Sequence, residues 1–130
     1  MKKDVSKNKI IDLNILKEKI KELKKIKKKI VLCHGVFDLL HIGHIKHFES
    51  AKKNGDILVV TITADEYVDK GPNRPHFNTM LRAETLAAIE IIDFISISYS
   101  STAENVIKKI MPNIYFKGIE YKNNNLILQE

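Results

Sequence analysis

Two stretches of this chain are apolar and β-branched with almost no polar alternation: Ile30-Val31-Leu32-Cys33 and Ile57-Leu58-Val59-Val60-Thr61-Ile62-Thr63. A strand with one face in water alternates polar and apolar residues. A strand without that alternation is buried on both faces, which in practice means a parallel sheet covered by helices. Phe94–Ser98 and Ile114-Tyr115-Phe116 are two further strand candidates. Helix-like segments separate them. One starts near Gly43 or His44 and stops at Asn54-Gly55. A loop over residues 65–78 holds Gly71, Pro72, Arg74 and Pro75. Asn78 or Thr79 caps a helix reaching about Ile91, with Leu81, Leu86, Ala88, Ile89 and Ile92 as expected core contacts. Ser101-Thr102-Ala103-Glu104 reads as a capping box opening a last helix that stops before Pro112. Ahead of the first strand, Leu13, Leu16, Ile20 and Leu23 recur at spacings of three and four, the stripe of an amphipathic helix capped by Asp12. Alternating strands and helices predict an α/β, Rossmann-like parallel sheet with helices on both faces, preceded by an N-terminal amphipathic helix.

The chain has 130 residues, enough for one domain with a real core. The expected division is a basic N-terminal segment and helix over 1–29 and a domain over 30–130. A single cysteine, Cys33, excludes a disulfide scaffold. The longest apolar run falls short of a membrane span, and the lysine-rich start is unlike a secretory signal. A cytoplasmic setting, no membrane and no nucleic acid are therefore expected. The formal charge of +6 does not contradict this. Residues 1–29 carry twelve lysines against four acidic side chains, a net of +8, while the remainder has ten basic and twelve acidic residues, a net of −2. The basicity lies on the solvated face of one helix.

In open α/β sheets ligands bind beyond the carboxyl ends of the strands. After the first strand comes Gly35-Val36-Phe37-Asp38-Leu39-Leu40-His41-Ile42-Gly43-His44. Two histidines straddle a glycine where a helix begins. Helix N-terminal amides attract anions, a glycine lets backbone approach phosphate, and imidazoles stabilise charge developing in phosphoryl transfer. A bland reading also exists, in which the histidines merely cap a turn. A zinc site from His34, His41, His44 and His47 is disfavoured because no cysteine pair accompanies them.

The whole segment closely resembles the signature of the cytidylyltransferase-like nucleotidyltransferases, which join a nucleoside monophosphate to a phosphorylated small molecule. Class I aminoacyl-tRNA synthetases share its His-x-Gly-His element, but this chain is too short for one and lacks their lysine-rich second signature. Lys70-Gly71, Arg74-Pro75, Leu81-Arg82-Ala83-Glu84, Asp93, Pro112, Lys117-Gly118 and Tyr121 extend the likeness. They point to the adenylyltransferase domain of bacterial ADP-heptose synthesis and related sugar-phosphate enzymes. The resemblance implies that His41 and His44 contact the triphosphate and that Lys70 and Arg82 bind phosphate. It implies that Gly35, Val36, Phe37, Asp38 and Gly43 shape the nucleotide pocket, and that Lys117 and Gly118 border the base. No metal ligand is assigned in the chain, and Mg2+ accompanies the nucleotide. The implied partners are ATP or CTP, a small phosphorylated sugar or polyol, a second copy of the chain in a homodimer, and a linked or separate sugar kinase of the ribokinase type. Relatives continue past the Lys-Gly strand with another strand, a Ser/Thr-rich phosphate-binding motif and a helix, so the domain is expected to be incomplete at its C-terminal end. A glycerol-3-phosphate cytidylyltransferase-like enzyme and a non-catalytic, truncated nucleotide-binding or interaction domain are the alternatives.

Overall fold

The computed structural model describes residues 8–68 and 75–117. Helix α1 (Leu13–Lys25) leads into β1 (Ile30–Gly35), α2 (Ile42–Lys52) and β2 (Ile57–Thr63). A short 3-10 turn follows at Asp65–Tyr67, then α3 (Thr79–Ala87), β3 (Phe94–Ser98), α4 (Glu104–Ile110) and β4 (Ile114–Tyr115). The four strands form one parallel sheet in the order β3-β2-β1-β4. The strand order reverses between β1 and β4, and in open α/β sheets it is at such a switch point that ligands bind, in the crevice outside the carboxyl ends of the strands.

The two faces of the sheet bury two cores. Val31, Cys33, Leu58, Val60 and Ile62 meet Phe48 and Ala51 of α2 and Ala83, Leu86 and Ala87 of α3. Ile30, Leu32 and Val59 meet Leu16 and Ile20 of α1 and Val106 and Ile110 of α4. The period-two split of each strand between these sets is why neither β1 nor β2 alternates in sequence. Burying Leu16 and Ile20 removes two large side chains from water, worth roughly 1.5–3 kcal/mol each. Asp12 caps α1 by accepting the Asn14 N–H at 2.8 Å. Just before it, Ile10 bridges to Ile95, and the Ile11 N–H donates to the Ile95 carbonyl at 2.9 Å, so the leader covers the exposed edge of β3. None of the described helices is long and apolar enough to cross a membrane.

Several local expectations are corrected. Helix α2 begins one residue before Gly43, at Ile42. Gly55 serves close approach, since a Cβ there would lie 2.7 Å from Val31 Cγ2 and 2.9 Å from the Lys29 carbonyl oxygen. Helix α3 ends at Ala87, and Leu81 and Ala88 are exposed; Arg82, Ala83, Leu86 and Ala87 are the residues it buries. The expected capping box before α4 does not form, because its N-cap position is Ala103, which makes no side-chain cap. Thr102 Oγ1 instead accepts the Glu104 N–H at a long 3.4 Å. The last strand stops at Tyr115, although the Phe116 N–H still donates to the Leu32 carbonyl.

Candidate functional site

The segment after β1 places both histidines at the N-terminus of α2. His41 is the N-cap, with extended backbone. Its Nδ1 accepts the Gly43 N–H at 2.9 Å, and His44 Nδ1 accepts the His41 N–H at 3.2 Å. The caps are reciprocal, like a Ser/Glu capping box written in imidazoles. Because both Nδ1 lone pairs are engaged, the ring proton of each neutral histidine sits on Nε2. The two rings lie 4.3 Å apart between centroids, inclined by 56°. Capping therefore aligns two Nε2–H donors with the positive end of a helix. The caps form as the bland reading expects, and they fix the tautomer whose Nε2–H a phosphate oxygen would need.

Glycine at 43 has a specific steric reason. A Cβ there would stand 2.6 Å from His41 Cε1 and 2.9 Å from its Nδ1. Only a residue without a side chain lets the imidazole fold over its own helix. Phe37 supports the other ring. It packs edge-on to His44 at 5.9 Å and against Phe48 at 5.2 Å. Its φ of 51° lies in the left-handed region, which for a bulky residue costs about 1–3 kcal/mol and persists only when its surroundings enforce it. Gly35 accommodates the same ring, since a Cβ at that position would meet Phe37 Cζ at 3.0 Å.

Arg82 and Asp38 supply that enforcement. The resemblance implies a phosphate contact for Arg82; the alternative of a solvated helix position is ruled out by its burial. Its side chain is fully buried. Its Nε donates to the Phe77 carbonyl at 3.0 Å, its Nη1 to the Val36 carbonyl at 2.9 Å and its Nη2 to Asp65 Oδ1 at 2.7 Å. One guanidinium thus ties the loop after β1 to the loop after β2 and to the approach to α3. Asp65 also accepts the Thr79 N–H at 3.1 Å. Partial burial works against the Asp65 charge, but the bonds from Arg82 and Thr79 outweigh it and hold this carboxyl below its usual range. Asp38 likewise faces a loop. Its carboxylate accepts the His76 N–H at 2.5 Å and the Phe77 N–H at 2.8 Å. Desolvation opposes its charge too, and those two donors, with the nearby His76 and Arg82, lower its pKa. Asp38 thereby fixes the loop that carries His76 and Phe77.

His34, near the end of β1, pairs in register with Thr61 of β2. Its Nδ1 is 2.7 Å from Thr61 Oγ1 and its Nε2 is 3.4 Å from Thr63 Oγ1. Burial, reinforced by the Lys117 charge, lowers its pKa to about 4 and keeps the ring neutral. Lys117 follows β4, near enough for its charge to act on His34. His47, expected on the helix surface, instead packs its ring 5.1 Å from that of Phe116. Cys33 is buried in the core, where desolvation pushes its thiol up and rules out a thiolate nucleophile. Lys70, Arg74, Gly118 and Tyr121 lie outside the described residues. Among the described residues, no group of three or more His, Cys, Asp or Glu side chains is arranged to hold a metal. Sequence reading missed Asp65 and the threonine pair on His34. The sole signal for the latter was Thr61 and Thr63 recurring in an otherwise apolar strand.

Comparisons with known proteins converge on this geometry. The model of the cytidylyltransferase-like family matches residues 32–124. The bifunctional protein HldE of Campylobacter fetus is 43% identical over 105 residues, covering 79% of this chain and 23% of that protein. HldE of Aliarcobacter butzleri is 38% identical over 111 residues, 84% of this chain and 23% of the relative. The chain thus spans about a quarter of the length of the curated relatives it matches. Among solved structures, the lipopolysaccharide core biosynthesis protein of Thermoplasma volcanium superposes with a TM-score of 0.62 at 27% identity, over 68% of this chain and 72% of that one.

Proposed function

The chain belongs to the cytidylyltransferase-like family, and from that premise we propose that it transfers a nucleoside monophosphate from ATP or CTP to a phosphorylated sugar or polyol, a sugar 1-phosphate above all, releasing pyrophosphate. The observation that carries this reading is the reciprocal His41–His44 cap at the start of α2, beside the β1/β4 crevice. A phosphate oxygen of the acceptor would attack the α-phosphorus in line. The bond from that phosphorus to the bridging oxygen would break, and pyrophosphate would leave with the electron pair. The nucleophile is already an anion, so neither a general base nor a covalent enzyme intermediate is required. Catalysis would then be positioning and charge stabilisation by the two Nε2–H groups and the α2 amides. Lys117 and Gly118 would border the base, and Lys70 would reach phosphates from its loop. Gly35, Val36, Phe37, Asp38 and Gly43 would shape the nucleotide pocket, with Arg82 acting through Val36 and Asp65.

Mg2+ would arrive on the nucleotide. The described residues provide no three-ligand cage, which suits an ion held by phosphate oxygens and water. Residues 30–130 would form the transferase domain and 1–29 its basic leader. The HldE relatives are named bifunctional, which supports a second activity residing in a linked or partner sugar kinase. A reaction that consumes a nucleoside triphosphate would run in the cytoplasm.

The test crosses ATP, CTP, GTP and UTP with hexose and heptose 1-phosphates and glycerol 3-phosphate, scored by pyrophosphate release. The proposal expects release from at least one pair. His44→Ala should lower it by about 10²–10³-fold, the cost of losing one preorganised donor, with the fold intact. Nucleotide binding without release across the whole panel would make this a binding domain instead.

A further inference from the structure

The sheet face turned toward α1 and α4 changes character along its length. Near the amino ends of the strands it is apolar, with Ile30, Leu32 and Val59. Toward the carboxyl ends it becomes polar: His34 pairs in register with Thr61, Thr61 with Ser96, and Thr63 with Ser98. Both threonines and both serines are buried. Most of this row is satisfied internally. His34 bonds the threonines, and Ser96 donates to the Ile11 carbonyl at 2.7 Å. Ser98 differs. It is 1% exposed and has no side-chain hydrogen bond among the described residues. An unpaired buried hydroxyl is costly and calls for an external partner.

Ser98 lines a cavity of about 640 Å³, a volume suited to a small ligand. Its walls are the leader from Ile10 to Asn14, the carboxyl end of β3, and Asn105 and Lys109 of α4. The leader lies outside residues 32–124, which match the family model. Its polar side chains are the hydroxyls of Ser96, Ser98, Tyr99 and Ser100, the Asn14 and Asn105 amides, the Lys109 ammonium and the Asp12 carboxylate. One cation is matched by one anion. A polyanion would meet the Asp12 carboxylate with a single lysine to offset it, and an apolar ligand would leave Ser98 unpaired. Hydroxyls and an amide that both donate and accept suit a neutral, hydroxyl-rich molecule. Tyr99, 64% exposed, offers an aromatic face for the C–H side of a sugar ring.

We propose that this cavity is a carbohydrate-binding site, separate from the His41–His44 site, that takes the uncharged ring of a pyranose. The ring can come from a free sugar or from the glycosyl part of a sugar phosphate. Amide-resolved NMR of the full chain tests this by titration with glucose, mannose and galactose, and in a parallel arm with their 1-phosphates. Saturable shifts at Ser98, Tyr99, Ser100 and Asn105 with at least one hexose, retained in His44→Ala, are expected. Response only to the 1-phosphates, with shifts at these same residues, assigns the site to the glycosyl part. Asn105→Ala, at an exposed position, and Ser98→Val should each weaken binding by about tenfold while leaving nucleotide binding unchanged. No shift at these residues from any sugar in either arm, or unaltered affinity in Asn105→Ala, would overturn the proposal.

Discussion

Replacing Arg82 with methionine distinguishes a loop tie from a phosphate ligand. Methionine keeps much of the aliphatic volume, so little cavity forms, and the loss is electrostatic. The Phe77 and Val36 carbonyls each lose a bond from a charged donor, and Asp65 loses its 2.7 Å partner. The Asp65 side chain is 41% exposed, so water can take over there and that loss is discounted. The two partly buried carbonyls remain. At roughly 1–2 kcal/mol each, destabilisation should total about 2–4 kcal/mol. An arginine that served only to meet a ligand would change stability by no more than about 0.5 kcal/mol. Arg82→Lys should recover little, because one ammonium cannot span three acceptors set around a planar fork. Equilibrium urea denaturation without ligand gives the answer. Unchanged stability in Arg82→Met together with lost nucleotide affinity would refute the tie and restore the direct phosphate contact.

Other consequences are as definite. His34 titrates at about 4 when folded against 6.5 for the free side chain, so the unfolded chain binds more protons between those values. Its contribution is therefore complete above 6.5 and is lost as the pH falls toward 4, by up to about 3 kcal/mol. The wild-type minus His34→Gln difference in urea stability should show this slope, and parallel profiles would contradict it. Gly43→Ala should displace the His41 ring and cut pyrophosphate release by about a hundredfold with an unchanged melting curve, in line with a misplacement of roughly 1 Å. Normal turnover in that variant would show that the His41 cap is dispensable. Gly55→Ala, far from the histidines, should cost about 1–3 kcal/mol through overpacking and leave kcat alone.

The parallel sheet was legible because β1 and β2 are buried on both faces, and a run such as Ile57–Thr63 admits few other settings. The histidine segment was legible because its spacing sits directly on a strand-to-helix junction. Longer-range relations were not. That Arg82 turns inward depends on Asp65, Val36 and Phe77 reaching it from three loops, and nothing in Leu81-Arg82-Ala83-Glu84 specifies those partners. Asp38 was visible as part of the motif, but the backbone N–H groups of residues 76 and 77 that it accepts are supplied by folding. The mis-set end of α3 has a local cause. Ile89, Ile91 and Ile92 continue an apolar pattern that the chain satisfies with turns after Ala88 rather than with more helix.

The central claim is that chemistry occurs at the α-phosphorus of a nucleotide held over His41 and His44. Radiolabel placed on that phosphorus tests it most directly, in a reaction with whichever acceptor releases pyrophosphate. Label is expected in a nucleoside-diphosphate-linked product, on the phosphorus now joined through oxygen to the acceptor phosphate, with unlabelled pyrophosphate and loss of both products in His44→Ala. Label recovered in free nucleoside monophosphate, or a γ-phosphate passed to the acceptor, would contradict it.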